Sequence, residues 1–197
     1  GNDLVAHDTM LACAKHFAAY GAAQAGRDYN IVDVSPRTLW EVYMPPFKAA
    51  VDAGAETFMT AFNEINGIPC TSSSYLFTDV LRKKWGFQGF VVSDYTAIME
   101  LIHHGVASHG REAAYLSLKA GVDMDMESHL YTSEIENLLN QGKISIQDID
   151  NAVKRILRLK HILGLFKDPY AYSNVERQKE KIMAKEHLEA ALDVAKK

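Results

Sequence analysis

Short apolar runs alternate with longer amphipathic ones along most of this 197-residue chain, and that alternation constrains its fold more than any other feature. The short runs fall at 10–17, 56–62, 89–93 and 121–125, and helical repeats at 36–53, 73–85, 111–120 and 131–141. A β-type run followed by a helical one, repeated, predicts βα units and a parallel sheet. Phe90-Val91-Val92 is apolar at consecutive positions, as expected of a strand covered on both faces. Helix punctuation agrees: Ser35-Pro36 is a cap followed by proline, and Gly54, Gly86, Gly121 and Gly142 fall where helices should stop. Ser145-Ile146-Gln147-Asp148 opens a further helix, with apolar Ile149, Val153, Ile156, Leu157, Leu159 and Leu163, that ends at Gly164. Beyond Asp168-Pro169, residues 170–179 read as a polar loop and 185–197 as a charged amphipathic helix.

A closed parallel barrel takes eight βα units and about 250 residues, so four strands predict either an open sheet or part of a barrel. At 48% hydrophobic residues the chain can bury one substantial core. A net charge of -4 without a basic stripe argues against nucleic acid or anionic lipid as partner. No apolar run approaches the roughly 20 residues of a membrane span, and no signal peptide opens the chain. It begins at Gly1 rather than methionine, so any targeting segment is expected upstream. Cys13 and Cys70 read as buried, inert thiols. No phosphate-cradling glycine motif is present, so nucleotide chemistry lacks support and no cofactor is expected. His103, His104 and His109 lack a tetrahedral ligand spacing, and no metal is expected.

In parallel α/β folds the carboxyl ends of the strands face the ligand crevice. Those ends offer Lys15-His16, then Met59 and Asn63, then Ser93-Asp94-Tyr95, then Asp123 and Asp125. Asp94, at the mouth of a buried strand beside Tyr95, is the leading catalytic candidate; the alternative is a helix N-cap. Lys15 and His16 are adjacent and in a regular strand would point to opposite sides, so joint use needs a local irregularity. Lys15 alone could be a Schiff-base lysine, and His16 alone a packed core histidine. Arg27 follows the small-residue stretch 21–26 and could reach a bound oxygen-rich ligand or sit in a solvated loop pair with Asp28. Met59 suits a core position, and Asn63 and Asn66-Gly67 suit a turn.

Taken together, Ala14-Lys15-His16-Phe17-Ala18-Ala19-Tyr20-Gly21, Met59-Thr60-Ala61-Phe62-Asn63 with Asn66-Gly67, and Gly86-Phe87-Gln88-Gly89-Phe90-Val91-Val92-Ser93-Asp94 closely resemble glycoside hydrolase family 3. Ala120-Gly121-Val122-Asp123-Met124-Asp125-Met126 and Gly164-Leu165-Phe166 with Asp168-Pro169-Tyr170 extend the resemblance over nearly the whole chain. It implies the C-terminal part of a (β/α)8 TIM-like barrel over residues 1–167. Residues 168–197 would then be a linker and first helix leading toward a second domain. It further implies a periplasmic or secreted β-glucosidase in which Asp94 is the nucleophile, Lys15, His16 and Arg27 hold the sugar, Met59 lines the pocket and Tyr95 stacks beside it. The substrate would be a β-glucoside or related oligosaccharide. Retention needs a second carboxyl group about 5–5.5 Å away, and in the family a glutamate of the second domain supplies it. The chain would therefore need the remainder of its own polypeptide as partner, and alone could associate with itself through open sheet edges. Where many members have tyrosine, this chain has Phe62. Members that cleave N-acetylglucosaminides read KHFPGHG, against Phe17-Ala18-Ala19-Tyr20-Gly21 here. A non-catalytic sugar-binding segment and a Lys15 aldolase are the remaining alternatives.

Overall fold

In the computed structural model, which describes residues 10–197, the sheet is parallel. Its strands β1 (Cys13–Phe17), β2 (Thr57–Thr60) and β5 (Phe90–Val92) lie in the order β1-β2-β5. The expected alternation of parallel strands with helices is therefore present. Between β1 and β2 the helical stretch expected as one piece is divided into α1 (Pro36–Thr38), a π-helical segment (Leu39–Tyr43) and α2 (Pro45–Asp52). Pro45-Pro46, which lack N–H groups, separate the π-helical segment from α2. Ser35 caps the start, its Oγ accepting from Thr38 N–H at 3.1 Å.

A hairpin of β3 (Glu64–Ile65) and β4 (Ile68–Pro69) follows β2. Its two-residue turn is Asn66-Gly67, both at positive φ, as the sequence led one to expect. The Asn66 carboxamide also accepts from Val34 N–H and donates to Val34 O, at 3.0 and 2.9 Å, pinning the hairpin to the chain ahead of α1. A helix over Tyr75–Lys84 with the wider π spacing leads to β5. Then come α3 (Ala97–His103), α4 (Gly110–Ala120), α5 (Leu130–Asn140), α6 (Ile146–Ile162), α7 (Val175–Lys181) and α8 (Lys185–Lys196). Gly121 closes α4 at φ 112°, and a Cβ there would come within 3.3 Å of the Phe77 and Thr78 side chains, so both backbone and packing select glycine.

Three sequence expectations need correction. The strand expected at 121–125 is only an isolated bridge from Val92 to Met124. There the Asp123 carboxylate, not a main-chain carbonyl, takes the Val91 N–H at 2.8 Å, so a side chain displaces part of the ladder. The stretch read as a loop contains α7, because Asn174 caps it, accepting from Arg177 N–H at 2.8 Å. Cys13, expected to be buried, is exposed: β1 pairs with β2 alone among the described residues, leaving its other edge open. Cys70 is buried as expected, and burial pushes its thiol up to about 12.

The main core lies between sheet and helices. Phe17, Phe58 and Phe77 are fully buried, and the Phe17 ring lies 4.9 Å from Phe47 and 5.4 Å from Phe58 in edge contacts. A smaller cluster, Ala114, Leu118, Leu138, Ile144 and Ala152, joins α4, α5 and α6. Asp123, with 1% of its side chain exposed, binds Arg82 at 2.5 Å and Arg155 at 2.6 Å. It thereby ties the 75–84 helix, β5 and α6 into one body.

Candidate active site

The backbone that presents Asp94 is fixed on both sides. Its N–H donates to Thr60 Oγ1 at 3.1 Å, at the end of β2, and that oxygen also accepts from Thr71 Oγ1 at 3.1 Å. Just before it, buried Ser93 gives its N–H to Met124 O and receives the Met126 N–H on its Oγ, both at 2.8 Å. The Asp94 side chain is 14% exposed. One carboxylate oxygen accepts from Tyr95 N–H at 2.6 Å; the other lies 3.2 Å from His16 Nε2. The N-cap reading does not hold: α3 begins after Thr96 without a side-chain cap, and Asp94 contributes only its carbonyl, to Ala97 N–H at 3.0 Å.

His16 reaches Asp94 through an irregular stretch of β1. The register with β2 slips between Ala14 and Phe17, and the Lys15–His16 and Phe17–Ala18 peptides are cis. Lys15 and His16 both border one open cavity of about 340 Å³, together with Tyr20, Tyr43 and Phe47. Lys15 is exposed and has no ion pair with Asp94 among the described residues; His16 is the direct contact. Arg27 is also exposed, on the rim of a neighbouring hollow with Tyr20, Gly26 and Asp28. The stretch before it holds two short 3-10 turns, Tyr20–Ala22 and Gln24–Gly26. Met59 is half-buried in β2, paired in register with Val92 two residues before Asp94. Tyr95 is 57% exposed at the mouth.

Tyr20, Tyr29 and Thr60, all near Asp94, were not singled out from the sequence. The Tyr20 ring packs edge-on to His16 at 5.1 Å, and Phe62 lies 6.2 Å from Tyr20 and 4.6 Å from Tyr29. Burial and then the charges of Glu100, Asp28 and Asp94 raise the Tyr29 phenol. Thr60 is the most legible of the missed residues, a polar side chain at the carboxyl end of a strand. Asn63, noted as turn-forming, is instead wholly buried, donating to Ala18 O and Glu64 O at 3.3 and 3.2 Å.

The other strand-end candidates are occupied elsewhere. Asp123 belongs to the buried ion cluster, and Asp125 accepts from Ser128 Oγ at 2.6 Å and Tyr131 N–H at 3.1 Å. The three histidines have separate partners: His103 meets Glu100, His104 meets Glu64, and His109 caps α4 by accepting from Glu112 N–H. No group of three metal-ligating side chains forms among the described residues. None of their helices is long and apolar enough to cross a membrane.

Parallel strands alternating with helices, with a carboxylate just past the end of β5, define an α/β protein with a candidate ligand site at the mouths of its strands. Residues 4–159 match the glycosyl hydrolase family 3 N terminal domain, and the chain belongs to that family. It is 46% identical over 164 residues to a periplasmic beta-glucosidase of Salmonella typhimurium, covering 83% of this chain and 21% of that protein. It is 40% identical over 186 residues to a putative beta-xylosidase of Formosa agariphila, covering 91% of this chain and 24% of the relative. Among solved structures, beta-glucosidase from Listeria innocua in complex with glucose superposes with a TM-score of 0.83 at 46% identity. That match covers 86% of this chain and 24% of the other. The chain thus spans about a fifth to a quarter of the relatives it matches. The fold is accordingly that of part of a (β/α)8 TIM-like barrel, as the sequence led one to expect.

Proposed function

We propose that this chain carries the nucleophile of a retaining β-glycosidase that hydrolyses terminal, non-reducing β-D-glucosyl residues, with Asp94 in that role. The observation that carries the reading is the Asp94 carboxylate at the mouth of β5, largely buried and 3.2 Å from His16 Nε2, with its peptide N–H anchored on Thr60. One carboxylate oxygen attacks the anomeric carbon as the bond to the leaving oxygen breaks, giving a glycosyl ester on Asp94. A carboxylic acid protonates the leaving oxygen, and its conjugate base then takes a proton from the water that cleaves the ester. That second group comes from the protein beyond these residues. The scheme is complete with two carboxyl groups and water and calls on no cofactor.

Lys15, His16 and Arg27 are the donors for the sugar hydroxyls, while Met59 and Tyr95 shape the wall. Lys15 and Arg27 are unpaired with Asp94 and exposed on two open cavities that both include Tyr20, the ring packed against His16, which leaves their donors available to a ligand. Residues 1–167, of which 1–9 lie outside the described residues, are read as part of the catalytic barrel, and 168–197 as a linker and helix leading to a second domain. A glucoside is favoured over a xyloside because the 46% identical relative bears the beta-glucosidase name and a solved neighbour holds glucose. The former's name also favours export to the periplasm.

The test uses the full-length protein and a 2-deoxy-2-fluoro-β-glucoside with a dinitrophenolate leaving group. Intact mass and peptide mapping should find one sugar on Asp94, and Asp94→Asn should not be labelled. A sugar on another residue overturns the assignment, and trapping of a carbonyl compound on Lys15 by borohydride would favour an aldolase.

A further inference from the structure

His104 stands at the end of α3 with its side chain 11% exposed, and both ring nitrogens are engaged by the segment that follows β2. Nδ1 lies 2.8 Å from a Glu64 carboxylate oxygen, and Nε2 lies 2.9 Å from Phe62 O. A carbonyl only accepts, so Nε2 carries hydrogen. The ring is thereby held at both nitrogens, and with its side chain 11% exposed those two bonds are largely shielded from water.

The two segments joined in this way are those that build the candidate site. On one side, α3 starts at Ala97, whose N–H donates to Asp94 O at 3.0 Å. On the other, the Phe62 ring lies 6.2 Å from Tyr20, Tyr20 lies 5.1 Å from His16, and His16 touches Asp94. Glu64 is held in turn through its carbonyl, which accepts from Val32 N–H at 2.8 Å and Asn63 Nδ2 at 3.2 Å.

Resting on the assignment of Asp94 as nucleophile, we propose that His104 is a positioning residue for glycoside cleavage. Clamped between Glu64 and Phe62, it fixes the aromatic wall of Phe62 and Tyr20 that seats His16 against Asp94. It touches neither substrate nor Asp94, and acts by keeping the reacting carboxylate in its attacking geometry, where displacements near 1 Å cost up to about 100-fold in rate.

The test measures labelling of Asp94 by the same fluoroglucoside in the full-length protein, separating the maximal rate from the concentration giving half of it. His104→Ala should slow the maximal rate about tenfold, and shift half-saturation less than about threefold. Glu64→Gln keeps an oxygen and a nitrogen beside the ring and should recover most of the rate; Glu64→Leu should fall as far as His104→Ala. Thermal unfolding reports folding of each variant, and His104→Gln, whose amide reaches one of the two acceptors, replaces His104→Ala should the latter fail to fold. An unchanged maximal rate in a folded His104 variant overturns the positioning role, as does a change in half-saturation alone or a Glu64→Gln as slow as Glu64→Leu. Absence of labelling in the unsubstituted protein overturns the nucleophile assignment instead, and this role with it.

Discussion

At the scale of single residues, environment separates groups that look alike in sequence. Asp94, Asp123 and Asp125 all follow β-type runs. Only Asp94 turns its carboxylate toward His16; Asp123 is consumed by Arg82 and Arg155, and Asp125 by Ser128 and the Tyr131 N–H. The two cysteines divide in the same way. Cys70 lies buried against Ala18 O, its thiol pushed up to about 12 by burial, so at pH 8 it offers almost no thiolate. Cys13 faces solvent from the open edge of β1. Titration of the folded 197-residue chain with a disulfide reagent at pH 8 should therefore count one rapid thiol, mapped to Cys13, and a second only after denaturation. Rapid reaction of Cys70 in the folded chain would contradict its packing.

At the scale of elements, the helices were more legible than the strand after them. Ser145 and Asp148 form the full reciprocal capping box at the start of α6, the two side chains answering each other's N–H groups at 3.3 and 2.8 Å. The 121–125 run carries the same kind of β signal as β5, yet the Asp123 side chain takes over ladder bonding, which no periodicity could reveal. That carboxylate is also where three elements meet. Asp123→Asn keeps the shape but leaves Arg82 and Arg155 without their shared counter-charge. It should cost about 3 kcal/mol of stability, read as a lower urea midpoint at unchanged slope. Unchanged stability would mean that solvent already compensates both guanidinium groups.

At the scale of the whole molecule, β1 leaves one edge unpaired among the described residues, and Cys13 and Lys15 lie exposed along it. An open edge is a template for pairing with another chain. A polypeptide limited to these residues should associate in a concentration-dependent way in sedimentation velocity, and one that remains monomeric up to about 100 μM would show the edge to be protected. The sequence by itself determined the parallel α/β class, the family, the helix caps and the strand mouths where polar side chains gather, because periodicity, turn chemistry and motif order are local properties. Tertiary structure alone decided which of those side chains meet. The contact of His16 with Asp94, the anchoring of Asp94 on Thr60 and the clamp of His104 on Glu64 join residues 78, 34 and 40 positions apart. Contacts over such separations are set by strand order, register and helix packing, which no window of neighbouring residues encodes.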